Sequence, residues 1–363
     1  MDKEAEHFRK VTMRVLTMQL NSISVMDLVA FGGAALGILL AIFEFQNGNI
    51  NLIGMIVIIL LSSEFFIPLR LLGSFFHIAM NGMAASDKIF KILDMEIDSN
   101  KTTDISLEDM PITLNNVNFS YQEDRQILKD VNVIIPKQSC IALVGSSGCG
   151  KSTIANIISG YHSGYQGSIQ WGDTELSTIS EDSLFEQITL VNHDGYVFAG
   201  TIAYNLQMVG SHVTETKMWE VLKLVKLDAF VKEQGGLSMP LLEQGSNLSG
   251  GQKQRLVLAR ALLKDTPVYV FDEATSNIDV ESENTIMEVI YNLKKTKTLI
   301  LISHRLDNIK NADQIYMMET GAIVEQGTHQ QLLNKEGAYA TMYQQQADLL
   351  SITKGVNNDE EKC

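Results

Sequence analysis

Two glycine-rich segments constrain this chain more than anything else in it: Gly145-Ser146-Ser147-Gly148-Cys149-Gly150-Lys151-Ser152-Thr153 and, further along, Leu248-Ser249-Gly250-Gly251-Gln252. At average residue usage the first pattern arises by chance in roughly one chain in a hundred of this length and the second in about one in several thousand, so the pair together is no accident. The first segment follows Ile141-Ala142-Leu143-Val144, an apolar run suited to a buried parallel strand. The order is therefore strand, glycine loop, helix. Glycines let backbone N–H groups converge on phosphate oxygens, and the positive end of a helix starting near Lys151 adds to the same field. In such a loop Lys151 reaches the β- and γ-phosphates and Ser152 ligates Mg²⁺.

Two more apolar runs end in chemistry. Val268-Tyr269-Val270-Phe271 reads as a second buried strand and delivers Asp272 and Glu273 to its tip. Asp272 is then placed to hold Mg²⁺, through water, while Glu273 stays free to orient or deprotonate the attacking water. A third run, Leu299 to Ile302, ends in Ser303-His304, where the histidine can contact the γ-phosphate. A histidine at a strand end is structural more often than not; it is the company of the other motifs that makes this one a site residue.

From about residue 111 to 350 these residues resemble the nucleotide-binding domain of an ABC transporter. The resemblance implies an α/β P-loop NTPase domain, with a parallel core sheet, an antiparallel β subdomain and a helical subdomain. It implies ATP and Mg²⁺ as ligands and ATP hydrolysis as the reaction. By that likeness residues Gly145 to Thr153 form the Walker A loop, Leu248 to Gln252 the signature sequence, Ser276 to Asp279 the D-loop, and His304 the switch histidine. Tyr121, in Phe119-Ser120-Tyr121, would stack on adenine; the alternative is a core aromatic at a strand end. His193, in Val191-Asn192-His193-Asp194, stands where the family has a glutamine that ligates Mg²⁺ and senses the nucleotide. Histidine prefers softer metals, so the departure bears on coupling. The signature also implies a dimer, since in the family Ser249, Gly250, Gly251 and Gln252 complete the site of the opposite subunit.

Residues before 99 bear on what the ATPase drives. Val25 to Phe45 is almost uninterruptedly apolar, and Ile50 to Phe66 is a second such run. Spans at about 21–45 and 50–76 would form an α-helical transmembrane hairpin, because ~20 apolar residues cover ~30 Å of hydrocarbon. Lys3, Arg9, Lys10 and Arg14 precede the first run, Lys88 and Lys91 follow the second, and Gln46 to Asn49 between them is uncharged. That distribution places both ends, and the ATPase, on the cytoplasmic side of the plasma membrane. A signal peptide fits poorly: the run begins late and lacks a small-residue cleavage site. Glu64 falls near the expected midplane, where an ionisable residue lines a cavity or pairs with a neighbour, and Arg70 past Pro68 is a candidate partner.

The stretch from Glu64 to His77, followed by Asn81 to Ser86 and Ile89 to Leu93, is similar to the last transmembrane helix of CydD/CydC-type half-transporters. This likeness implies export of a thiol such as cysteine or glutathione in support of cytochrome bd assembly; multidrug, peptide and lipid exporters share the architecture and are the alternative. A half-transporter has six transmembrane helices where two are visible here. The expectation is therefore the ATP-binding and permease part of a partial half-transporter, or of a split one, needing a second half-transporter as homo- or heterodimer partner, the bilayer and a small transported solute; a catalytically idle fragment is the alternative.

The net charge of −15 leaves no basic stripe for nucleic acid. Cys140, Cys149 and Cys363 have neither metal spacing nor an even count, which suits a reducing cytosol. The expected organisation is a partial transmembrane domain at 1–98, a polar linker at 99–110, the nucleotide-binding domain at 111–350 and a disordered acidic tail at 351–363. Pro111 to Tyr121 alternates with a change of phase at Asn115-Asn116 that predicts a bulge, Val131 to Ile135 and Ser168 to Trp171 read as strands, and Glu181 to Leu190 and Glu215 to Lys232 read as helices.

Overall fold

The computed structural model describes residues 2–95, 101–105, 110–122, 125–276 and 278–348. The chain divides into two units, Met1–Ile97 and Asp98–Cys363. The expected tail at 351–363, much of the linker, and the side chain of Arg70 lie outside the described residues.

The first unit is a helical hairpin of α1 (Asp2–Gln46) and α2 (Leu52–Leu93). Gly48 takes the left-handed conformation in the turn (φ 78°), and the Asn51 side chain caps α2 by accepting from the Gly54 N–H at 2.8 Å. Along α1, Ala30, Gly33, Ala34, Gly37 and Ala41 recur at helical spacing and are at least partly covered. A Cβ on Gly37 would lie 2.9 Å from Ser62 Oγ, so small residues let the two backbones approach. Leu28, Phe31, Leu36, Leu39 and Phe65 are exposed on the outside of the hairpin. Among the described residues Ala5–Gln46 is long and apolar enough to cross a membrane, and Leu52–Ser62 is a shorter apolar stretch. Pro68 lies inside α2 without ending it.

The second unit is built on two sheets. β1 (Ile112–Gln122), β2 (Arg125–Ile135), β4 (Gln166–Trp171) and β5 (Thr174–Glu175) form an antiparallel sheet in the order β2-β1-β4-β5, while β3 (Cys140–Gly145) belongs to the other sheet. The register of β1 against β2 slips between Leu114 and Val117, with Asn116 at φ 50°, which is the expected bulge. The central sheet has six strands: β3, β6 (Ile188–Asn192), β9 (Val268–Asp272), β10 (Thr298–Ile302), β11 (Gln314–Glu319) and β12 (Ala322–Gly327), ordered β12-β11-β3-β10-β9-β6. Only β12 runs antiparallel to its neighbour. Strand β3 is buried throughout, with Cys140, Ala142 and Val144 in one core and Ile141 and Leu143 in the other. Burial on both faces is why it reads as a continuous apolar run.

Between these strands lie α3 (Lys151–Ile158), α4 (Glu181–Gln187), α5 (Ile202–Gln207), α6 (Glu215–Leu224), α7 (Asp228–Glu233), α8 (Gly250–Lys264) and α9 (Val280–Leu293). A short pair, β7 (Gly200–Thr201) with β8 (Pro240–Leu241), joins the α5–α7 region. Helix α10 (His329–Asn334) and a last helix at 338–348, here α11, close the unit.

Two helices expected from the sequence are shorter than predicted. The Glu181–Leu190 segment is α4 up to Gln187 and then β6, because Ile188 to Val191 pair with β9 and tertiary pairing overrides local helical preference. The Glu215–Lys232 segment breaks into α6 and α7 at Lys226, which is left-handed (φ 53°) and whose carbonyl accepts from Arg255 at 3.0 Å.

Candidate functional site

Register puts the site at one edge of the central sheet. Asn192 pairs with Asp272, Asp272 with Ile302, and Ile302 with Leu143, so the C-terminal ends of four parallel strands lie level. The residues that follow these ends are His193, Glu273, His304 and the glycine loop. Open parallel sheets bind ligands at this edge because each strand there hands over to a loop.

The loop is a backbone cradle. Gly145 sits at φ 147°, and a Cβ on it would lie 2.2 Å from the Met318 carbonyl oxygen, so only glycine fits. Helix α3 starts at Lys151 with no side-chain cap, which leaves its first N–H groups turned toward the loop. The buried Lys151 ammonium donates to the carbonyls of Gly145 and Ser146, each at 2.9 Å, and lies 3.6 Å from Cys149 Sγ. Cys149 is itself buried, so its thiol faces the loop rather than solvent.

Asp272 ends β9 beside this cradle. Burial pushes its carboxyl above the usual carboxylate range and nearby Glu273 adds to the rise, against a hydrogen bond from Ser152 and the charges of His193 and Lys151. Its Oδ1 is buried without a hydrogen-bond partner. A buried acceptor with a free lone pair, next to a serine hydroxyl, fits a hard divalent cation that takes oxygen ligands. Asp272 and Ser152 would hold Mg²⁺. Because the ionised carboxylate is held in a desolvated place, Asp272→Asn is expected to raise the thermal unfolding midpoint in the presence of a chelator by a few degrees, roughly what ~1 kcal/mol gives. The same variant should lose ATP turnover, and differential scanning calorimetry with a phosphate-release assay checks both.

Glu273 and His304 are in contact: Nδ1 of His304 lies 3.0 Å from Oε1 of Glu273, and its Nε2 lies 3.3 Å from Ser276 Oγ. Glu273 is left-handed (φ 53°), and its N–H donates to the Ile302 carbonyl at 2.9 Å, which turns the chain out of the strand just as the carboxylate is presented. The same left-handed conformation recurs at turns elsewhere in the unit, at Lys226 and Asp265 among others, and here it sets the direction in which the carboxylate leaves the strand. The His193 N–H donates to the Asp272 carbonyl at 3.1 Å, and its Nε2 lies 3.1 Å from Asp194 Oδ2.

Tyr121, 54% exposed at the end of β1, places its hydroxyl 3.3 Å from Thr153 Oγ1 and 3.2 Å from His162 Nε2. The ring is therefore outside the core and tied to α3. His162 was not legible as a site residue, because it follows no motif and meets Tyr121 only through the fold.

Ser249, Gly250, Gly251 and Gln252 form the start of α8. The Ser249 hydroxyl accepts from the Gln252 N–H at 3.2 Å while Gln252 Oε1 accepts from the Ser249 N–H at 2.9 Å, a reciprocal cap. Gly251 is required by packing, since a Cβ would lie 2.2 Å from Ser282 Oγ at the start of α9. Among the described residues no hydrogen bond or ion pair joins 248–252 to the phosphate loop or to Asp272, Glu273 or His304.

Residues 128–276 match the family model described as ABC transporter. The part of the C-terminal unit that carries the phosphate loop, the signature segment, Asp272 and Glu273 is thus similar to an ABC transporter ATP-binding domain. In fold the chain resembles a bacterial Atm1-family ABC exporter solved with ATP bound, with TM-score 0.69 and 27% identity over 94% of this chain and 60% of that one. An ABC transporter ATP-binding protein of Haemophilus influenzae is 50% identical over 360 residues, covering 98% of this chain and 64% of that protein. An ATP-dependent lipid A-core flippase of Saccharophagus degradans is 38% identical over 77% of this chain and 48% of its own length. The multidrug resistance-like ATP-binding protein MdlB of Buchnera aphidicola is 37% identical over 73% and 46% respectively. The chain thus spans less than two thirds of these relatives. The CydD/CydC likeness is not supported at this level; flippase and multidrug-like relatives fit the alternative reading better.

Proposed function

We propose that this chain is the ATP-hydrolysing part of an ABC exporter of the half-transporter type. The observation that carries it is the Glu273–His304 contact, held level with Asp272 and the phosphate loop by the register of β3, β9 and β10. Lys151 and the loop N–H groups bind the triphosphate, and Tyr121 offers its exposed ring to adenine. Glu273 takes a proton from, or orients, the attacking water. His304, held by Glu273, donates toward the terminal phosphate. Mg²⁺ held by Ser152 and Asp272 would supply charge neutralisation at the phosphates. His193 stands near enough to Asp272 to act on its charge, and serves in place of the family's glutamine.

The second partner is another half-transporter, identical or different, whose phosphates are met by Ser249 to Gln252 of this chain. Support comes from the signature segment itself: it caps an exposed helix start, and among the described residues no hydrogen bond or ion pair ties it to its own phosphate loop. The hairpin of α1 and α2, with apolar side chains turned outward, belongs to the membrane-embedded part, with the ATPase on the cytoplasmic side. The lipid A-core flippase and multidrug resistance-like relatives support a lipid or a drug as cargo over a small thiol.

Replacing Ser249 by Arg is expected to lower ATP turnover about 10²-fold, as when an anion-stabilising donor is removed. Nucleotide binding to the phosphate loop of the same chain should persist. Turnover and fluorescent-nucleotide binding, measured on the assembled transporter, test this; normal turnover with Ser249→Arg would end the reading in which this segment completes the partner's site.

A further inference from the structure

Behind the Glu273–His304 pair lies a buried carboxylate that the reaction as described does not use. Glu283, in the first turn of α9, is 3% exposed. It forms an ion pair with Arg305, the residue after His304, and accepts from Asn308 Nδ2 at 2.7 Å. The same Asn308 amide reaches Thr275 Oγ1 at 3.3 Å, two residues after Glu273. The carboxylate thus holds the start of α9 to the loop leaving β10, and Asn308, which it orients, reaches across to the loop leaving β9. Other bonds brace the second loop: the Tyr291 hydroxyl donates to the Asn308 carbonyl at 2.5 Å, and the Gln346 amide accepts from the Leu306 N–H at 3.0 Å while donating to the His304 carbonyl.

The carboxylate is buried while the Arg305 side chain is 49% exposed, so desolvation offsets much of the attraction and the pair matters here for the geometry it sets. What this one fixes is the start of α9 against the loop that carries His304, while Asn308 reaches on to Thr275, two residues from Glu273. We propose that Glu283 is a positioning residue for hydrolysis, whose carboxylate holds Arg305 and orients Asn308 toward Thr275, linking the two loops as a clamp and so keeping Glu273 and His304 in contact. The inference rests on the ATPase reading given above for the site, while the clamp itself can be tested without turnover.

The test compares Glu283→Ala and Glu283→Gln in the full chain by two measurements. Hydrogen–deuterium exchange over 303–309 is expected to rise about tenfold in Glu283→Ala and to be partly restored in Glu283→Gln, with exchange in β3 and β9 unchanged. In the assembled transporter, kcat is expected to fall about tenfold to a hundredfold with the KM for ATP unchanged, and Glu283→Gln should recover part of it. In a His304→Ala background, Glu283→Ala should cost nothing more, because both act through one contact. Unaltered exchange at 303–309 overturns the clamp, and losses that multiply with His304→Ala overturn its role in hydrolysis. A wild-type transporter without ATP turnover would refute the ATPase reading and leave the exchange result to decide the clamp. Should Glu283→Ala fail to fold, Asn308→Ala breaks the same bridge between Glu283 and Thr275 and carries the same expectations.

Discussion

Exchanging Glu273 for Gln is expected to lower ATP turnover about 10³-fold while nucleotide binding survives, the range found when a positioned general base is removed. Gln keeps the length of the side chain and can still meet His304 Nδ1, which lies 3.0 Å from Oε1 in the native contact. Only basicity and charge are lost. The phosphate loop, Lys151 and the Ser152–Asp272 pair are untouched, so affinity for MgATP should hold or rise as hydrolysis stops. Equilibrium binding of labelled ATP, alongside single-turnover hydrolysis, separates the two quantities. A variant that hydrolyses at the native rate would show that another group handles the water.

The second large effect concerns the backbone. Gly145→Ala is expected to destabilise the C-terminal unit by ~3 kcal/mol or more, equivalent to a fall of roughly 10 °C in the unfolding midpoint. The added Cβ would meet the Met318 carbonyl oxygen at 2.2 Å and its carbon at 3.1 Å, and φ is 147° besides. Met318 is the register partner of Gly145 between β11 and β3, so neither backbone can move without opening the sheet. At Gly148, by contrast, nothing lies within 4 Å of an added Cβ and only the left-handed φ of 79° opposes it. Gly148→Ala should therefore cost only about 1–2 kcal/mol. Thermal melts of the two variants side by side give the comparison; equal losses would mean that backbone conformation rather than the Met318 contact governs Gly145.

Much of the site was legible because its motifs are local. A strand, a glycine loop and a helix start lie consecutively in the chain, and so do Val268–Phe271 with Asp272 and Glu273. Strands buried on both faces announced themselves as apolar runs. The two misjudged helices fail for the opposite reason. Ile188 to Val191 become a strand only because β9 is there to pair with, and the break at Lys226 depends on Arg255, distant in sequence. No window of neighbouring residues contains that information.

The amino-acid sequence by itself determined the chemistry offered: a triphosphate cradle, two carboxylates and a histidine at strand tips, a signature turn, and an apolar hairpin ahead of them. Tertiary structure alone decided the distances. Level registers of β3, β9 and β10 bring Glu273 to His304, the fold sets His162 and Thr153 against Tyr121, and α9 places Glu283 behind the pair. The physical reason is that hydrogen-bond register and buried charge act between segments far apart in the chain, where residue type says what a group can do and only packing says what it meets.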